Sequence, residues 1–355
     1  MRMRRYLATE CLVLALFVLG IGFATRGIVR IALVERARPA RVALSGAFAL
    51  PVERDQGLLP NPATAQDSAG TFLGMEDDFL IGRLRSQPIV RMKLNHGGSS
   101  LSFRVDFADG SRAAFKPAQT NLQTIPRKEV AAYRLNRLLG LSAVAPATPR
   151  MVGRDEIFGH LHGDTVPMLP RIRAETIFDP RGNTAGVMMY WIPVIKKSGF
   201  DTPEGIQQTA QWLTPGQAIP ATKHQLAAQV SDMVVFDFLA ANPDRYSGGN
   251  MMTNEDGSRL YFMDNTLSFF IEPEGNEKSR TALHRAQRFS RRLYEALGRI
   301  SESMLTQALA QASEGEYEIL TKPEIRAVVS RRDYVRRYID GLVASRGAAE
   351  TLYFP

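Results

Sequence analysis

Two aspartates and an asparagine in the second half of the chain have the types and spacing that phosphate chemistry needs. The stretch NPDRYSGGN, residues 242–250, follows the apolar segment DMVVFDFLAA and precedes MMTNEDGSRLYFMDN, which ends in a second Asp-Asn pair. The pattern predicts a helix that delivers Asp244 into a loop, a strand through NMMT, a turn at NEDG and a return strand, RLYFM, that arrives at Asp264. A hairpin brings its two ends together, so Asp244, Asn250 and Asp264 should meet at one edge. Hard oxygen donors gathered there suit a magnesium or manganese ion carrying nucleotide phosphates, with one Asp left to orient a hydroxyl nucleophile.

The first half supplies the complementary charges. Lys116 ends a strand and Glu129 opens the next helix thirteen residues later, so their charges can face each other across a nucleotide. Lys116 would hold phosphate oxygens, and Lys93 would add a second positive charge. The turn at Gly97, Gly98, Ser99 and Ser100 would bring backbone N–H groups close to the same oxygens. Asn-Pro-Asp, a surface lysine, a helix-opening glutamate and a glycine hairpin tip are each ordinary alone. Their order along one chain is what points to phosphoryl transfer from ATP.

The elements that must position these residues are readable. PIVRMKL (88–94), LSFRVDF (101–107) and SRAAFKP (111–117) read as an antiparallel meander, with Asp109-Gly110 at a tight turn. PRKEVAAYRLNRLLG has helical spacing and stops at Gly140. TPRMVGR and GVMMYWIPVI follow, and the pattern then turns helical with KHQLAAQVSDMVVFDFLAA, which ends at the Asn242-Pro243 break. Three helical patterns close the chain: EKSRTALHRAQRFSRRLYEAL, SESMLTQALAQA and KPEIRAVVSRRDYVRRYIDGLV, the last opened by a Thr321/Glu324 capping box around Pro323. The expected class is α+β, with a two-lobed, protein-kinase-like architecture: an antiparallel-sheet lobe over 76–190 and a helical lobe over 191–355.

With 355 residues, 45% of them hydrophobic, the chain can bury a large core. A formal charge of +8 favours anionic partners, yet there is no zinc-like Cys/His spacing, aromatic RNA-binding signature or long basic run, so no nucleic acid is expected. The single cysteine, Cys11, opens the apolar run CLVLALFVLGIGFA. That run reads as a signal anchor within residues 1–35, a single-pass membrane attachment, with a cleaved secretory signal as the alternative. The Ala- and Pro-rich stretch 36–75 reads as a stem.

AAFKP, KEVAAYRLNRLLGL, DMVVFDFLAANPDR, LYFMDN and LTKPEIRAVVSRRDYVRRYI together resemble the secretory-pathway kinases related to four-jointed and the Golgi casein kinase, over residues 76–345. The resemblance implies an atypical kinase fold, type II anchoring with an extracytoplasmic or lumenal domain, and ATP with manganese or magnesium. The acceptor it implies is a protein Ser/Thr or a glycan hydroxyl. It also implies Lys93 and Lys116 at the phosphates, Glu129 in the metal and nucleotide network, Asp244 as catalytic Asp, and Asp264 on the metal. Unlike animal members, the domain has no cysteine, as in a bacterial-type relative. Alternatives are a phosphoinositide-type lipid kinase, whose Asp-Arg-His-x-x-Asn loop NPDRYSGGN partly matches, and a non-catalytic pseudokinase.

Overall fold

The computed structural model describes residues 70–96, 98–313 and 317–355. The expected anchor, most of the stem, and Gly97 lie outside these residues, among which no helix is long and apolar enough to cross a membrane.

A short hairpin, β1 (Thr71–Phe72) and β2 (Met75–Glu76), leads into α1 (Asp77–Ser86). The meander then forms as β3 (Ile89–Leu94), β4 (Phe103–Phe107) and β5 (Arg112–Pro117). After α2 (Arg127–Leu138) come β6 (Ala147–Gly153), α3 (Arg154–Gly159), a 3₁₀ turn (Gly163–Met168), α4 (Leu169–Glu175) and β7 (Asn183–Tyr190). The five strands make one antiparallel sheet in the order β3-β4-β5-β7-β6.

Alternation along these strands decides which face does what. Phe103, Val105 and Phe115 are buried on one face, and directly paired positions put Lys93, Arg104 and Ala114 together on the other. Lys116 lies on that second face, two residues beyond Ala114. Gly186 of β7 is required by the first face, because a Cβ there would lie 2.3 Å from the Phe115 ring.

Past Tyr190 the chain crosses into a helical lobe. β8 (Lys196–Lys197) is an added strand on the hairpin of β9 (Met251–Thr253) and β10 (Leu260–Phe262), giving the order β10-β9-β8. Between them lie α5 (Pro203–Trp212) and α6 (His224–Ala240), a helix buried nearly all round that ends on Ala241 in the left-handed region, φ 49°. α7 (Glu277–Arg285), α8 (Arg291–Arg299), α9 (Glu302–Ala312), α10 (Lys322–Arg346) and α11 (Ala348–Thr351) complete it. The continuous helical pattern expected over 277–297 is broken in two. Phe289 donates its N–H to Thr351 and accepts from the N–H of Phe354, so the chain's last residues take up backbone groups that a helix would have used. The Thr321 and Glu324 capping box forms. One apolar core runs through both lobes, and a smaller cluster seats Phe72 and Leu73 against Ile192 and Tyr261.

Gly186→Ala should lower stability by about 1–3 kcal/mol through overpacking against Phe115. Gly82→Ala, inside α1 with nothing within 4 Å of its Cβ position, should raise it by up to about 1 kcal/mol. Urea unfolding midpoints of the two variants, moving in opposite directions, check the placement.

Candidate active site

The loop after α6 is shaped by its own side chains. Asn242 Oδ1 accepts from the Asp244 N–H at 2.9 Å, and Ser247 N–H closes a turn on the Asp244 carbonyl at 3.0 Å. The Asp244 carboxylate accepts from Ser247 Oγ at 2.5 Å and from Asn250 Nδ2 at 3.1 Å. Asn250 Nδ2 also donates to the Asp244 carbonyl at 2.9 Å. Asp244 and Asn250 therefore meet, as a mutually oriented pair.

Arg245, 1% exposed, holds this loop to everything around it. Its guanidinium donates to both carboxylate oxygens of Asp237 on α6 at 3.0 Å, to the Asn250 carbonyl at 2.8 Å, to the Met263 carbonyl and to Asn265 Oδ1 at 2.7 Å. Asn265, equally buried, passes the connection on: its Nδ2 donates to Glu129 Oε2 at 3.2 Å.

Glu129 and Asp264 converge on Lys116. Its ammonium donates to Glu129 Oε1 and to Asp264 Oδ1, each at 2.8 Å, although the two carboxylates are 13 and 148 residues away in sequence. The Lys116 and Glu129 side chains are 8% and 4% exposed, whereas Asp264 is 38% exposed and opens to solvent. Burial opposes the Lys116 charge, but Asp264 and Glu129 together raise its pKa above the usual lysine range. Burial likewise pushes the Asp264 carboxyl up, and the Lys116 ammonium with the Thr266 hydroxyl and N–H outweighs it, holding the value at about 2. Asp264 sits in the left-handed region, φ 48°, a conformation that short acidic side chains tolerate best after glycine. Thr266 Oγ1 donates to the same Oδ1 at 2.7 Å, and among the described residues Oδ2 makes no hydrogen bond.

The chain after Asp264 is held by two buried cations. Lys128 donates to the Ser268 carbonyl and lies 4.5 Å from the Phe270 ring centroid. Arg331 of α10 donates to the carbonyls of Leu239 (2.7 Å), Phe270 (2.8 Å) and Glu272 (2.7 Å).

Other expected residues make no hydrogen bond or ion pair with this cluster among the described residues. Lys93 pairs with Asp164 of the 3₁₀ turn at 2.7 Å, and no contact among the described residues joins it to Lys116. The Ser99 carbonyl accepts from Arg171 at 2.6 Å, which ties the Gly98–Ser100 turn to α4. Gln119, three residues past Lys116, exchanges two hydrogen bonds with the backbone of Leu101 and so fixes the far end of that turn. Among the described residues no group of three or more His, Cys, Asp or Glu is arranged to hold a metal. Glu129 has both oxygens engaged, while among the described residues Asp264 keeps one carboxylate oxygen and Asn250 its amide oxygen without a hydrogen-bond donor.

Sequence reasoning passed over Asp237, Arg245, Asn265 and Gln119. An Arg directly after Asp244 and an Asn directly after Asp264 were visible, but nothing in their spacing announced that one would bond the other.

Two comparisons bear on the fold. The family model described as the four-jointed box protein middle domain matches residues 77–270, more than half of the chain. No curated protein sequence matches. Among solved structures, the Golgi casein kinase superposes with TM-score 0.58 at 16% identity over 78% of each chain, and its form with Mn/ADP bound does so at 17%. Hydra Fam20 with sugar gives TM-score 0.57 at 19% identity, over 76% of this chain and 89% of that one. Likeness at this level establishes the kinase-like fold.

Removing Arg245 should leave the Asp237 carboxylate buried without its partner. Arg245→Met is expected to cost about 3–5 kcal/mol, with part of the loss recovered in the Arg245→Met/Asp237→Leu double variant, as read from urea unfolding. A carboxyl held at about 2 when folded and about 3.9 when unfolded stabilises fully above pH ~4 and loses that contribution as pH falls toward 2. Asp264→Asn should therefore flatten the fall in unfolding midpoint between about pH 4 and 2 in metal-free buffer.

Proposed function

From the premise that the chain belongs to the four-jointed box family, we propose that it is a metal-dependent kinase transferring the γ-phosphoryl group of ATP to a hydroxyl of a protein or a glycan. The observation that carries this reading is the buried Lys116 ammonium, bonded at once to Glu129 of its own lobe and to Asp264 of the other. An ammonium has three donors, and two are committed here, so the third remains for a phosphate oxygen. Gly98 and Ser99 lie on a turn fixed by Arg171 and Gln119, which supports a backbone role beside the phosphates. Lys93 is assigned to the phosphates as well, since Asp164 takes only one of its three donors.

The donor set fits a hard divalent cation. Asp264 is held ionised and keeps one carboxylate oxygen unengaged, and the Asn250 amide oxygen is a second hard donor. Manganese or magnesium bound to these oxygens would neutralise charge across the phosphates. Glu129 contributes by aiming Lys116, since both of its oxygens are already bonded within the site. Asp244 is the group that accepts the proton of the acceptor hydroxyl. Ser247 and Asn250 hold its carboxylate in one orientation while leaving lone pairs for a further donor.

The acceptor is assigned by analogy with the fold neighbours, one named for casein and one carrying a sugar. A catalytic domain held on the extracytoplasmic side of a membrane by the amino-terminal apolar run accords with that analogy.

Asp264→Ala and Asp244→Ala should fail differently. The first should weaken metal-dependent ATP binding and abolish transfer, and Lys116→Ala should resemble it. The second should lower transfer by about 10²–10⁴-fold while ATP binding stays near wild type. Calorimetric ATP titration with manganese, beside transfer to peptides and glycans and slow ATP hydrolysis, separates them. Wild-type protein that binds ATP without transferring or hydrolysing it would replace the kinase reading with a pseudokinase. Three folded variants with unchanged turnover would end it.

A further inference from the structure

A cavity lies outside the Lys116 cluster and borders the loop that carries Asp244 at Tyr246. It encloses about 460 Å³ between α5, α6 and α7, within the usual range of small-molecule sites. Its floor is apolar: Ile206 and Leu213 come from the α5 side and Val230 and Val234 from α6. Its rim is cationic. Lys278 and Arg285 stand seven residues apart on α7, about 10 Å along the helix axis, with Thr281 between them. Glu277 is the single acid on the rim, and neither Lys278 nor Arg285 enters an ion pair among the described residues. Tyr246, one residue past Arg245 and 36% exposed, closes one side.

We propose that this cavity binds a small amphipathic anion, with an apolar body on the α5–α6 floor and a carboxylate, sulfonate or phosphate head on Arg285 and Lys278. The charge match selects the class. An uncharged apolar ligand would leave two cations at the mouth unused, and a purely polar anion would leave the floor uncovered. A ligand of this class also touches the catalytic loop from behind. Val234 lies one turn before Asp237 on α6, and Tyr246 follows Arg245, so an occupant contacts residues on both sides of the Asp237–Arg245 ion pair. Occupancy would restrain the turn that presents Asp244, making the cavity a regulatory site. That second step rests on the phosphotransferase reading, whereas the binding step does not.

The probes are 8-anilinonaphthalene-1-sulfonate, followed by fluorescence, and dodecanoate as a competitor, applied to the folded protein with circular dichroism as a control. Wild type should bind the sulfonate at one saturable site and release it to dodecanoate. Thr281→Trp, an exposed position that fills the mouth, and Arg285→Glu should each weaken binding about tenfold or more. Calorimetric ATP affinity of both variants should match wild type. Dodecanoate should change wild-type ATP hydrolysis at least twofold and leave Thr281→Trp unaffected. Unchanged sulfonate binding in both variants would overturn the site. Displacement by a Glu-Leu repeat peptide but not by dodecanoate would overturn the small-ligand assignment in favour of a peptide groove. Binding and displacement as expected with no effect on hydrolysis would remove the regulatory step, and a wild type that neither transfers nor hydrolyses ATP would sink the kinase reading and the regulatory step with it, while the binding result still stands.

Discussion

The geometry of the candidate site hangs on one buried guanidinium. A guanidinium offers only hydrogen-bond donors, so burying Arg245 to 1% exposure is tolerable only if every direction it faces offers an acceptor. The chain meets that demand with a carboxylate from α6, the carbonyls of Asn250 and Met263, and the amide oxygen of Asn265. These four acceptors come from a helix, a loop and the end of a hairpin. Satisfying the charge and fixing the relative positions of the three are therefore one event.

From there the order spreads by hydrogen bonds that each use up a polar atom. Asn265 is locked by Arg245 on its oxygen and offers its nitrogen to Glu129; Glu129 keeps its other oxygen for Lys116; Lys116 reaches across to Asp264. A buried polar network of this kind is costly when incomplete and rigid when complete. It crosses from the helical lobe to the sheet lobe and returns, so the lobes are registered by the groups that would handle phosphate. Asp264 ends the path at the solvent boundary, still charged and only half engaged, the state a cation ligand needs.

The segment beyond Asp264 follows the same logic on a larger scale. Lys128 and Arg331 are cations with little access to water, and burial lowers the pKa of both, Arg331 to about 10. Arg331 is satisfied by three main-chain carbonyls, and Lys128 by the Ser268 carbonyl together with the Glu324 carboxylate at 3.6 Å and the Phe270 ring; the carbonyls of the segment meet these cations only in one conformation. Phe269, in the left-handed region at φ 54°, donates its N–H to Ala240 and completes that conformation. The stretch Thr266–Glu272 is thus held by the body of the protein rather than by contacts of its own.

The sequence alone carried the local statements. Alternation marked β3, β4 and β5, apolar spacing marked α2 and α6, Asn-Pro ended α6, and the Thr321/Glu324 pair opened α10. Period, cap and turn chemistry act over a few residues and so can be read within them. The hairpin reading also placed Asp244 beside Asn250, because six residues of loop leave little choice. Which of the carboxylates Lys116 would take, and that it would take two, was decided across 148 residues by the packing of one lobe on the other. Arg245 and Asn265 looked like loop filler for the same reason: a buried charge is defined by what surrounds it. Lys93 drew Asp164, 71 residues away, and the pattern over 277–297 broke where Thr351 and Phe354 competed for its backbone. Partners that distant leave no periodic trace in a sequence, so only the folded chain could choose them.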